Sequence, residues 1–98
     1  MESFTDIIKG SKPVLVDFSA KWCGPCKILV PILKDVDQNI GDKARIIKID
    51  VDRNPSVAQK YQIMSVPTLI IFKNGQIQSR RSGVMQTDEL VSMLERLV

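Results

Sequence analysis

Between Val14 and Ile40 the chain passes from a nearly continuous apolar run, Val14-Leu15-Val16-Asp17-Phe18, into a segment whose apolar positions recur at helical spacing: Ile28, Leu29, Ile32, Leu33, Val36 and Ile40. An apolar run without alternation belongs to a strand buried on both faces, so residues 14–18 are expected to form a central strand. The periodic segment predicts a helix from Cys23 to about Asn39. Pro31 lies within it, where the missing N–H removes the bond to the Lys27 carbonyl and should kink the helix. Gly41 ends this helix, and Ala44-Arg45-Ile46-Ile47-Lys48-Ile49-Asp50 reads as a second strand. A helical crossover between two strands of one sheet makes them parallel, so the first half of the chain is a βαβ unit.

The flanking segments extend that unit. Ser3 can cap a short helix through Ile8, with Asp6 near its positive end and Gly10 as terminator. Asn54-Pro55 can open another, asparagine as cap and proline at the first position, running to about Tyr61. Residues 67–73 and 76–81 are strand-like and are separated by Asn74-Gly75, a strong hairpin signal, so they should pair antiparallel. Thr87 can cap a last helix toward Val98, with Leu90, Met93, Leu94 and Leu97 on its apolar face. The order is α-β-α-β-α-β-β-α. Were Ala44 to Asp50 to lie at a sheet edge, Arg45 and Lys48 would be charges that discourage strand-to-strand association.

Ninety-eight residues fit one domain spanning 1–98. A net charge of +3 comes from scattered basic residues with no aromatic-basic patch, which argues against a nucleic-acid partner. No stretch approaches the roughly 20 apolar residues that span a bilayer, and the N-terminus lacks a basic region followed by an apolar run. The expectation is a soluble, cytoplasmic protein that needs no membrane.

The strand-to-helix junction holds both cysteines and the lone tryptophan, in Trp22-Cys23-Gly24-Pro25-Cys26-Lys27. A Cys-x-x-Cys pair beside a strand-then-helix pattern is a known signature of redox sites. Two alternatives stand beside it: an inert buried pair, and a metal site. Four-coordinate zinc needs more ligands than two thiolates, and the chain has no histidine, so no metal and no cofactor are expected. Residues three apart on a helix are near neighbours, so closing and opening a disulfide requires little rearrangement. At the helix N-terminus Cys23 faces unpaired N–H groups and the positive end of the dipole, which favour thiolate and make it the expected nucleophile. Cys26, one turn further in, is the expected resolving thiol. Thiolate attack on a substrate disulfide, then attack of Cys26 on Cys23, would leave the Cys23–Cys26 disulfide and a reduced substrate. Asp17 occupies a position where a doubly buried strand should carry an apolar side chain. Burial would raise its pKa and make it a candidate proton acceptor for Cys26; otherwise it is a strand-end carboxylate turned to solvent.

Trp22 to Lys27, together with Asp17-Phe18, Pro31, Lys48, Asp52, Val66-Pro67-Thr68, Phe72-Lys73-Asn74-Gly75 and Gly83, resembles the thioredoxin family from about Lys12 to the C-terminus. The resemblance implies an α/β thioredoxin fold, three layers with a mixed four-stranded central sheet, lacking the family's usual first strand. It implies Lys48 as charged partner of Asp17, and a cis bond at Val66-Pro67 that leaves backbone near Val66 free to pair with an extended substrate. Trp22, Gly24, Pro25, Met64, Ser65, Val66, Pro67, Gly83 and Val84 would form the substrate-binding surface. The implied activity is general protein-disulfide reduction by a monomer, on disulfide-bearing substrate proteins, with recharging by a thioredoxin reductase. The alternatives are an oxidase or isomerase on the same fold, and an interaction module whose thiols are dispensable. Ser19 departs from the pattern, since many members carry tryptophan there.

Overall fold

The computed structural model describes residues 2–98. Helix α1 (Phe4–Ile8) starts at the expected cap: Ser3 Oγ accepts from the Asp6 N–H at 3.1 Å, and the Asp6 carboxylate accepts from the Ser3 N–H. Strand β1 (Val14–Ser19) follows and is buried along its whole length. Helix α2 (Gly24–Ile40) has Cys23 as its N-cap and continues through Pro31 without a break. It ends at Gly41, whose φ of 60° lies in the left-handed region that a side chain would strain. A short 3₁₀ turn (Gly41–Lys43) leads to β2 (Arg45–Asp50), then come α3 (Pro55–Lys60), β3 (Thr68–Lys73), β4 (Gln76–Ser82) and α4 (Thr87–Glu95).

The sheet order is β2-β1-β3-β4, with β2 parallel to β1 and the other two pairings antiparallel. The expected βαβ unit and hairpin are both present, and β2 is an edge. Asn74 and Gly75 take φ of 54° and 78°, the left-handed pair that a two-residue hairpin turn requires. Alternation along β1 divides the core into two layers. Leu15 faces Leu29, Val36 and Ile40 of α2 and Leu90 and Leu94 of α4; Val14, Val16 and Phe18 face the side covered by Ile8, Phe4 and Tyr61. The sheet is thus sandwiched between helices, the three-layer α/β arrangement expected.

Three local expectations are corrected. Gln86, not Thr87, is the N-cap of α4, and no side chain bonds there; Thr87 is the first residue within the helix. Asn54 does occupy the cap position of α3, but its amide Nδ2 donates to the Asp50 carbonyl and its side chain makes no cap bond to α3, although its backbone carbonyl accepts from the Ala58 N–H. Ile28 shares the helical spacing of its neighbours yet is 57 % exposed, because the buried stripe of α2 runs through Leu29, Val36 and Ile40.

Candidate active site

The end of β1 and the start of α2 meet in a tight connection, in which the Cys23 N–H donates to the Ala20 carbonyl at 3.2 Å. Cys23 and Cys26 form a disulfide with Cα atoms 5.3 Å apart, within the range that a disulfide spans without distortion. Cys23 Sγ also accepts from the Cys26 N–H at 3.2 Å, so the sulfur itself caps the helix. Helix N-termini present unpaired N–H groups, and a sulfur held there is stabilised most when it carries charge. Cys23 and Cys26 are 4 % and 2 % exposed, with Ala20, Val51 and Val66 packed around them. The inner cysteine is only marginally less exposed than the outer one.

Across from the disulfide, the Val66-Pro67 bond is cis and the Val66 carbonyl oxygen lies 3.6 Å from Cys23 Sγ. With the disulfide closed there is no S–H to donate, so this is a contact, not a hydrogen bond. Thr68 Oγ1 donates to the Ser65 carbonyl at 2.7 Å, and the Gly83 N–H donates to the Pro67 carbonyl at 2.9 Å, which brings residues 65–68 and Gly83 to the same edge of the site. Trp22 is 71 % and Met64 91 % exposed; Gly24, Pro25 and Ser65 are exposed as well. Val84 is half-buried and packs against the core under α2 and α4, so only part of it remains at the surface.

Asp17 lies behind this surface on the α2 side of β1. It is 1 % exposed, which excludes the solvent-facing alternative, and neither carboxylate oxygen has a hydrogen-bond partner among the described residues. Its pKa is raised from 3.8 to about 6 because burial penalises the charged form, while the Lys48 ammonium pulls the other way. Lys48 is directly across from Asp17 in the β1–β2 register. The two are not in ion-pair contact, since the salt bridge found among the described residues is Arg45 to Glu2 at 3.1 Å. Asp17, Leu33, Ile46 and Lys48 instead line a cavity of about 280 Å³ between α2 and β2. Ser19, on the same face, is buried, and its hydroxyl has no hydrogen-bond partner among the described residues.

One contact escaped the sequence reading. Trp22 Nε1 donates to the Asp52 carboxylate at 2.8 Å, joining side chains 30 residues apart. Asp52 in turn is held by its own N–H donating to Asp50 Oδ1 at 2.9 Å. In the sequence Asp52 stands only as part of the family pattern; the signal for this bond is its place two residues past β2, the strand neighbouring the one that leads to Trp22.

Known proteins resemble this chain along nearly its whole length. A family model described as Thioredoxin matches residues 1–96. A thioredoxin-like protein of Synechocystis is 45 % identical over 97 residues, covering 98 % of this chain and 92 % of that protein. The thioredoxin of Acidithiobacillus ferridurans is 42 % identical over 91 residues, 93 % of this chain and 84 % of the relative. The chloroplastic thioredoxin Y of rice is 47 % identical over 94 residues, and there the match spans only 56 % of the relative's length. Among solved structures, a mutant thioredoxin from Halobacterium salinarum superposes with a TM-score of 0.85 at 34 % identity, covering 95 % of this chain and 80 % of that one.

Proposed function

The chain belongs to the thioredoxin family, and from that premise we propose that it is a general protein-disulfide reductase. The observation that carries this is the placement of Cys23: its sulfur caps α2 while standing beside the Val66 carbonyl at an exposed apolar rim. In the dithiol form the Cys23 thiolate attacks one sulfur of a substrate disulfide, breaking that bond and forming a Cys23–substrate bond. The displaced substrate sulfur leaves as thiolate and takes a proton from water. Cys26 then loses its proton to the Asp17 carboxylate, ionised at neutral pH with a pKa near 6, and attacks Cys23. The second substrate sulfur leaves, and the closed Cys23–Cys26 disulfide remains. Two electrons have passed from the protein dithiol to the substrate. Lys48 tunes Asp17 from across the strand pair, and a thioredoxin reductase returns the electrons. The extended substrate pairs with the backbone at Val66, and Trp22, Gly24, Pro25, Met64, Ser65, Pro67, Gly83 and Val84 supply the surrounding contacts.

We place residues 1–98 in one domain that works as a monomer in a reducing compartment such as the cytoplasm, where a dithiol can be kept reduced. The decisive experiment is reduction of insulin disulfides with a thioredoxin reductase as electron source. The parent protein should turn over, and Cys26→Ser should halt as a mixed disulfide through Cys23. Turnover by Cys26→Ser at the parent rate would refute the mechanism.

A further inference from the structure

Arg80 lies on β4, opposite Ile70, among none of the residues assigned above. Its guanidinium donates from Nη1 to the Tyr61 carbonyl and from Nη2 to the Gln62 carbonyl, the second at 2.7 Å. Both acceptors stand just past α3, where helix carbonyls lack intrahelical partners. Gln62 takes φ of 53°, a left-handed conformation uncommon for a residue with a side chain. From that turn the chain runs outward through Met64 and Ser65 to Val66. The Thr68 hydroxyl fastens the loop a second time, on the Ser65 carbonyl. Between the two fastenings Met64 is 91 % exposed, and just past the second the Val66 carbonyl oxygen lies 3.6 Å from Cys23 Sγ.

We propose that Arg80 is a positioning residue for polypeptide substrates: by clamping two consecutive carbonyls it holds the 62–66 loop in the shape that receives an extended chain beside Cys23. This rests on the disulfide-reductase reading and says which substrates depend on the clamp. A guanidinium carries several donors in a rigid fork and can hold both carbonyls at once, whereas a lysine ammonium is a single point of attachment. Without the clamp the two carbonyls turn to water, so the fold loses little. The loop must then be ordered each time a polypeptide docks, and that cost enters binding, not the sulfur chemistry. A small disulfide that meets Cys23 alone does not use the loop.

The test is single-turnover reaction of the pre-reduced protein with insulin and, separately, with a small aromatic disulfide, for the parent, Arg80→Gln and Arg80→Lys, with melting curves alongside. For Arg80→Gln the half-saturation concentration for insulin should rise roughly three- to tenfold, the equivalent of one such anchor lost. Its limiting rate, and its rate with the small disulfide, should stay within about twofold of the parent, and Arg80→Lys should fall in between. Should Arg80→Gln fail to fold, the same split in Arg80→Lys decides the matter. Unchanged half-saturation for insulin, or equal slowing with both substrates, would overturn the proposal. A parent protein inactive on insulin but active on the small disulfide would instead remove the reading beneath it, and the clamp's role with it.

Discussion

Asp17 holds a buried carboxyl with no hydrogen-bond partner among the described residues, so its ionisation works against the fold. The folded value of about 6 lies above the ordinary 3.8. The native state therefore binds the proton more tightly than the unfolded chain, and the sign of the linkage follows. The associated stability is fully present below pH 4 and is lost as pH rises through about 6. Asp17→Asn removes this dependence and should be more stable than the parent at pH 7 by on the order of 2 to 3 kcal/mol, an advantage that fades toward pH 4. Urea titrations of the two proteins across pH 4 to 8 would check it; a gain independent of pH would mean that the carboxyl does not titrate as described. A carboxylate that ionises at this buried position is thus retained at a thermodynamic cost. Trp22 presents the opposite case, an exposed ring held by one bond to Asp52. Asp52→Ala should change Trp22 emission and slow reaction with insulin severalfold while leaving the melting temperature nearly unchanged, because a single hydrogen bond at the surface contributes only about 1 kcal/mol.

Elements were legible wherever local chemistry decides them. Ser3 and Asp6, Gly41, and Asn74-Gly75 act through bonds or dihedrals within a few residues, and each does what its type implies. Gly75 shows how far such a signal reaches. Its N–H donates to the Ile8 carbonyl at 2.8 Å, and that of Asn74 to the Gly10 carbonyl at 3.0 Å, so the hairpin tip also ties down the end of α1. A Cβ at Gly75 would meet only Lys9 Cγ, at an ordinary 3.7 Å. Gly75→Ala should then cost only the left-handed strain, about 1 to 2 kcal/mol, visible as a lowered urea midpoint with an unchanged slope. A substantially larger loss would point to the bonds with α1. What stayed illegible depends on groups distant in sequence. Thr87 has the chemistry of a cap but stands one residue too far along, inside α4. Ile28 obeys the helical period and still faces solvent, since periodicity gives the width of a stripe and only tertiary packing gives its direction. The same holds for Asp52 on Trp22 and for Arg80 on the 61–62 carbonyls: hydrogen bonds between distant segments leave no periodic trace.

At the scale of the whole molecule, the sheet presents β2 to its surroundings, and the direction of its hydrogen bonds decides what can join it. Arg45 N–H donates to the Pro13 carbonyl and Val51 N–H to the Ser19 carbonyl, so odd-numbered residues of β2 bond toward β1. Ile46, Lys48 and Asp50 therefore turn their N–H and C=O groups outward. A second copy adding antiparallel about a two-fold axis normal to the sheet places even residues opposite even ones. Only the register centred on Lys48 lets all three outward residues pair at once, Ile46 with the partner's Asp50 and Lys48 with its own equivalent. Like charges directly opposite destabilise an antiparallel pair, so Lys48, whose charge also lowers the Asp17 pKa, is placed to oppose such pairing. Two substitutions separate the roles. Lys48→Val removes the repulsion and should give a weight-average mass that rises with concentration in sedimentation equilibrium. Lys48→Glu restores like charge at the same point and should remain monomeric. Each substitution also removes the ammonium that pulls the Asp17 pKa down, so in both that pKa should rise further above about 6. If Lys48→Val and Lys48→Glu sediment alike, the charge does not protect the edge.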